Sequence, residues 1–112
     1  HPHPRLWGTF PRVLGKYSRE MQLFPLEEAV YKMTGKSASV FGLEKRGIID
    51  VGNYADLVIF NPETVIDKAS YQSPKLHADG IENVLVNGEV VWQEDSATQN
   101  RPGMFLEGKN FN

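Results

Sequence analysis

The sequence predicts an α+β fold, with two or three short helices followed by a small antiparallel or mixed β-sheet. Apolar residues recur at helical spacing before Arg46 and at strand spacing after it. An Asn-Gly pair at positions 87 and 88 separates two strand-like runs, and Leu57-Val58-Ile59-Phe60 is apolar on both faces. At 112 residues and 12.6 kDa, the chain fits one small domain or a piece of a larger one.

The elements follow in order. Residues 1–8, HPHPRLWG, hold two prolines and a glycine, which remove backbone donors and fix φ, so an extended loop is expected rather than a helix. Phe10, Val13, Leu14 and Tyr17 then mark a short amphipathic helix to about Glu20, with Pro11 near its first turn and Gly15 as a weak spot. Over residues 24–35 several signals agree on a second helix. Pro25 suits its first position, Glu27 and Glu28 face the positive end of the helix dipole, Lys32 sits in the last turn, and Gly35 offers a left-handed cap. Leu26, Ala29, Val30 and Met33 form its buried stripe. Ser37 is expected to cap a third helix through Phe41, closed by Gly42.

Beyond Arg46, Gly47-Ile48-Ile49 reads as a short strand and Val51-Gly52-Asn53 as a turn. The run at residues 57–60 is expected to be a central strand, covered on both faces and stopped by Asn61-Pro62. Residues 81–86 and 89–93 flank Asn87-Gly88, the preferred pair for a type I′ turn because both central residues need φ > 0. Residues 63–80 and the tail from Glu94 show no period, and both are expected to be loop-like.

Composition narrows the function. Hydrophobic residues make up 40% of the chain and charged residues 23%, enough for a packed core, while no apolar run approaches the roughly 20 residues of a membrane-spanning helix. A soluble globular chain without a membrane segment is expected. The absence of cysteine excludes disulfide scaffolds, thiol redox chemistry, cysteine nucleophiles and cysteine-type zinc fingers. The first residues lack a signal-peptide core, so a cytoplasmic origin is expected. The net charge of −2 conceals an asymmetry, with eight Lys/Arg against four Asp/Glu in residues 1–46 and four against ten in residues 47–112. The basic half scatters its cations singly and carries no nucleic-acid motif, so no nucleic acid is expected as partner.

Few residues offer chemistry. His1-Pro2-His3 resembles a His-x-His metal pair, but proline fits a loop better than a central strand and no acidic residue lies near it; His77 is the remaining histidine. A copper site at a free N-terminus needs the amide of residue 2, which proline lacks. The serines stand in no Gly-x-Ser-x-Gly turn, the glycines match no phosphate loop, and Glu27 and Glu28 point about 100° apart on a helix. Asp56, just before the apolar run, is expected to accept backbone hydrogen bonds at a turn rather than to catalyse. On the residues alone there is no complete active site, with no catalytic or metal-ligating residue.

The residues Gly42-Leu43, Arg46-Gly47-Ile48-Ile49, Gly52, Ala55-Asp56-Leu57-Val58-Ile59-Phe60, Pro62 and Val86-Asn87-Gly88 resemble the C-terminal end of amidohydrolase-superfamily enzymes. Within that superfamily, His3-Pro4-Arg5, Trp7-Gly8, Phe10-Pro11-Arg12-Val13-Leu14-Gly15, Tyr17, Arg19-Glu20 and Arg101-Pro102-Gly103 resemble the N-acyl-D-amino-acid deacylases. Ser37 departs from the pattern, standing where related sequences often have proline.

The resemblance implies a zinc-dependent hydrolase several times longer, which cleaves the amide of N-acyl-D-amino acids within a (β/α)8 barrel through a metal-activated water. Residues 1–46 would then be a loop and closing helices of the barrel, and residues 47–112 the C-terminal part of a small composite β-sandwich domain. Metal ligands and the catalytic aspartate would lie upstream of His3, so this segment binds no zinc itself. What maps is the stretch from His3 to Arg12, making His3 and Arg5 candidates for shaping the substrate site; fixing a loop by hydrogen bonds is the competing role for both. The expected partners are the N-acyl amino acid and the remainder of the parent chain, with self-association of the isolated chain. Two other readings remain: a free-standing α+β module that binds a partner without catalysis, and a piece of a hydantoinase- or dihydroorotase-like amidohydrolase.

Overall fold

The structure, a computed structural model, describes residues 1–109. Its elements run α1 (Arg5–Arg12), a π-helix (Val13–Glu20), α2 (Leu26–Met33), α3 (Gly35–Val40), β1 (Leu57–Phe60), β2 (Ile81–Val86), β3 (Glu89–Gln93) and β4 (Ser96–Ala97). The strands pair antiparallel in the order β1-β2-β3-β4, so helices precede an antiparallel sheet as the α+β expectation has it.

The first helix starts earlier than expected. Residues 5–8 are helical rather than extended, because Pro4 adopts φ −58° and ψ −19°, and a helix start has no use for the amide that proline lacks. The first amides find acceptors: Arg5 N–H donates to His3 Nδ1 at 3.0 Å and Leu6 N–H to the His3 carbonyl at 3.1 Å. Pro11 lies near the end of α1, not in its first turn, and from Val13 the backbone widens into the π-helix, with Met21 N–H reaching back to Lys16 O.

Gly15 is a packing site rather than a weak spot. The π-helix lies so close to the segment at Val65 and Ile66 that a Cβ on Gly15 would stand 2.6 Å from Ile66 Cδ1 and 3.0 Å from Ile66 Cα, with the Val65 carbonyl nearer still. Around this approach sits the core of Leu14, Ala29 and Val65, flanked by Val13, Phe24, Leu26, Val30, Met33, Phe60 and Ile81. The expected stripe of α2 thus faces inward. Arg19 secures the same contact from the side, donating to Val65 O at 2.7 Å and Pro62 O at 3.1 Å.

Several local expectations shift. Pro25 is the extended N-cap residue of α2 instead of its first helical position, and Glu28 pairs with Lys32 one turn on at an exposed 3.7 Å. Gly35 does not cap α2; it opens α3, packed against Tyr31 and Ile48, while the α2 C-cap is Thr34, whose hydroxyl donates to Val30 O. Ser37 lies inside α3, and its hydroxyl donates to Lys32 O. Gly42 does close α3, with φ +68°.

Gly47, Ile48 and Ile49 form no strand, having no ladder to join, and Ile49 is 89% exposed. The turn over residues 51–53 is present, with Asn53 N–H donating to Asp50 O. The strand at residues 57–60 exists as β1, but it lies at the edge of the sheet rather than its centre, and its Val58 and Ile59 are about half exposed. An apolar run signals that both faces are suited to cover, and the described residues supply little of it. Residues 63–80 are irregular apart from a bridge between Ile66 and Asp79, and the tail gains only the two-residue β4; for 110–112 the expectation lies outside the described residues.

The hairpin follows the sequence closely. Asn87 and Gly88 have φ of 49° and 80°, as a type I′ turn requires, and Val86 pairs with Glu89 and Leu85 with Val90 before a bulge brings Val84 opposite Trp92. A Cβ on Gly88 would meet nothing within 4 Å, so a substitution there isolates backbone strain from crowding. Gly88→Val is expected to lower stability by more than about 1 kcal/mol, read as a lower melting temperature. An unchanged melting temperature would contradict the turn assignment.

Candidate functional site

His3 and Arg5 meet at the start of α1, where the backbone N–H of Arg5 donates to His3 Nδ1. The other ring nitrogen of His3, Nε2, lies 3.2 Å from the Tyr71 hydroxyl, and the two rings meet edge-on with centroids 5.2 Å apart. His3 thus makes a hydrogen-bond contact at each ring nitrogen. The guanidinium of Arg5 has no hydrogen-bond or ion-pair partner among the described residues, and Arg5 is exposed.

A cleft of about 660 Å³ opens between the start of α1 and residues 67–72, lined by His3, Arg5, Arg12, Tyr17, Asp67 and Tyr71 among others. Arg5 also borders a more apolar depression of about 560 Å³ with Leu6, Trp7 and Phe10. Gly8 lets α1 approach the cleft's far wall, since a Cβ there would lie 2.9 Å from Asp67 Cβ. Arg12 donates to Asp67 Oδ2 at 3.2 Å and to the Tyr17 hydroxyl at 3.4 Å. These bonds, Tyr17 first and then Asp67, push the Arg12 guanidinium pKa further up against the opposing effect of burial, so Arg12 is a permanent cation engaged with Asp67.

Asp56 behaves as a turn residue. Its Oδ1 accepts Asn87 N–H at 2.9 Å and its Oδ2 pairs with Arg46, whose guanidinium stacks over the Tyr54 ring 4.1 Å from the centroid. Glu27 and Glu28 are exposed on α2, and the Ser18 hydroxyl donates to Phe24 O.

A zinc site does not fit these residues. Both ring nitrogens of His3 are occupied by Arg5 N–H and the Tyr71 hydroxyl, His77 stacks against Trp92, and among the described residues no group of three His, Asp or Glu side chains comes together as a metal site.

Sequence reasoning missed Tyr71, Arg12 and Asp67. Tyr71 and Asp67 fall in a stretch without periodicity, and their partners His3 and Arg12 lie 68 and 55 residues away.

Comparison with known proteins gives this arrangement its context. Residues 1–92 match the amidohydrolase family. A D-aminoacylase of Alcaligenes xylosoxydans xylosoxydans is 56% identical over 105 residues, covering 94% of this chain and 22% of its own length. The crystal structure of an N-acyl-D-glutamate deacylase from Bordetella bronchiseptica, complexed with zinc and a phosphonate inhibitor that mimics the tetrahedral intermediate, superposes with a TM-score of 0.88 at 50% identity, covering 96% of this chain and 22% of that one. A dihydroorotase of Lactobacillus delbrueckii subsp. bulgaricus is 31% identical over 95 residues, 76% of this chain and 22% of its own length. The chain thus spans about a fifth of the length of the curated relatives it matches.

Proposed function

The chain belongs to the amidohydrolase family, and from that premise we propose that it is the C-terminal portion of a zinc-dependent hydrolase that cleaves the amide bond of N-acyl-D-amino acids. The observation that carries this reading is the 56% identity to a D-aminoacylase over 94% of the chain. The much lower 31% identity to a dihydroorotase argues against a cyclic-amide parent. The catalytic zinc of the parent supplies Lewis-acid chemistry, and its ligands belong to chain outside this segment, a reading supported by the absence, among the described residues, of any three His, Asp or Glu side chains grouped to hold a metal.

Residues 1–46 are then a loop and closing helices of a (β/α)8 barrel, and residues 47–112 the C-terminal part of a composite β-sandwich. The change from helices to strands near Arg46 and the partly exposed faces of β1 support that division. His3 and Arg5 shape the substrate site: every N-acyl amino acid carries a carboxylate, and Arg5 offers an uncommitted guanidinium at a cleft beside a fixed backbone. A cytoplasmic location belongs to the same reading, supported by the cysteine-free composition; among the described residues no helix is long and apolar enough to cross a membrane.

Metal analysis tests the reading. The longer enzyme is expected to retain zinc through dialysis and to lose deacylase activity on chelation, while residues 1–112 alone hold no stoichiometric zinc and give no turnover above a mock preparation. One tightly held zinc per isolated chain would overturn the assignment of the ligands to chain outside this segment. The remainder of the parent is also the natural cover for Leu6, Phe10, Val40, Phe41, Ile48 and Ile49, all more than half exposed. Without that cover the chain is expected to self-associate; a compact 12.6 kDa species in sedimentation at micromolar concentration would contradict this.

A further inference from the structure

We propose that Tyr71 is a positioning residue for the substrate-flanking segment: its hydroxyl anchors the His3 imidazole at Nε2, and His3 in turn fixes the start of α1 that carries Arg5. This rests on the functional reading above for what Arg5 does, but the device is visible in this chain.

The hydrogen-bond roles are determined by the backbone. Nδ1 of His3 accepts the Arg5 N–H at 3.0 Å, and only a ring without a proton on Nδ1 can do so. The neutral ring then carries its proton on Nε2 and donates it to the Tyr71 oxygen at 3.2 Å. Accepting that bond leaves the Tyr71 O–H free to donate elsewhere. The edge-on ring contact, with an interplanar angle of 79°, orients the imidazole plane. His3 thus serves as the acceptor for the first amide of α1, a place where Pro4 has no side-chain oxygen to offer.

Tyr71 is built to be presented rather than buried. It is 79% exposed, so its removal takes little from the core. It projects from a tight loop closed by two bonds, Ser70 N–H to Ser73 O and Ser73 N–H to Ser70 Oγ, both at 3.0 Å. The same strand of chain is anchored to α1 further along by the Arg12 to Asp67 pair and the close approach at Gly8. Residues 67–71 therefore grip α1 at its start and at its end, and the position of Arg5 is set by a segment more than 60 residues away.

The test uses the longer enzyme and a two-residue cycle. Tyr71→Phe removes the hydroxyl and keeps the ring; His3→Asn keeps a short acceptor for the Arg5 amide but cannot reach Tyr71. Each is expected to raise KM by about three- to tenfold with kcat changed less than about twofold, because a carboxylate held by Arg5 is bound equally in the ground and transition states. The double variant is expected to be no worse than the worse single. An unchanged KM in Tyr71→Phe, or effects that multiply in the double variant, would overturn the proposal. The imidazole ¹⁵N shifts of His3 read the contact without any turnover: a changed Nε2 shift in Tyr71→Phe, reporting the lost hydrogen bond, supports it, and identical spectra overturn it. Inactivity of the parent enzyme toward N-acyl-D-amino acids would defeat the functional reading alone, leaving the shifts to decide this one.

Discussion

Gly15→Ala is expected to destabilise the fold by about 3 kcal/mol. The added Cβ would collide with the Val65 carbonyl and with both Cδ1 and Cα of Ile66. A flexible side chain can move aside, but backbone cannot do so cheaply. Here the Val65 carbonyl is also held by Arg19 at 2.7 Å, and the Val65 side chain is fully buried between the helices and the sheet. Relief therefore requires the π-helix to lift off the 65–66 segment, which opens the contact of Leu14 with Val65 at the centre of the core. The measurement is the urea midpoint at fixed protein concentration, with Gly103→Ala as the control because a Cβ there meets nothing within 4 Å. Equal midpoints for the two variants would contradict the packing described here.

Asp56→Ala is expected to cost about 2–3 kcal/mol, through two losses at once. Its carboxylate neutralises the Arg46 guanidinium, whose side chain is only 9% exposed, and it accepts the Asn87 amide at the hairpin turn. Truncation leaves a nearly buried cation without its counter-charge and an amide without its acceptor. The Asp56 side chain is 32% exposed, so water reaches the gap and keeps the cost below that of a fully buried pair. Asp56→Asn separates the two contributions: it retains an oxygen for Asn87 N–H while removing the charge, and is expected to fall between the parent and alanine. An alanine variant as stable as the parent would show that Asp56 does not join the hairpin to the turn before β1.

What the sequence made legible is what short-range physics determines. Asn87-Gly88 requires two consecutive left-handed residues, so the pair itself specifies the turn, and strand register follows from it. The stripe of α2 repeats at 3.6 residues and is buried accordingly. The failures share a different cause. Residues 5–8 become helical where Pro4 takes helical backbone angles and His3 lends a ring nitrogen to the first amide, while the other nitrogen of that ring meets a tyrosine 68 positions along the chain. Gly15 ranks as a weak helix former on intrinsic preference, yet its missing side chain is what allows the helix to touch Val65. Ile48, Ile49 and β1 carry the apolar pattern of covered structure, and the described residues do not provide the cover. For the candidate site, His3 and Arg5 were legible through family resemblance, whereas Arg12, Asp67 and Tyr71 join it through tertiary contacts that no local pattern records.

The parent proposed for this segment is a hydrolase of N-acyl-D-amino acids. Its most direct test is the ratio of kcat/KM for the two enantiomers of one N-acetyl amino acid, measured with the zinc-loaded longer enzyme. A preference for the D enantiomer of about a hundredfold or more is expected of a site that reads the substituents of one carbon by several contacts at once. Equal hydrolysis of both enantiomers, or turnover of a cyclic amide with neither enantiomer cleaved, would contradict it.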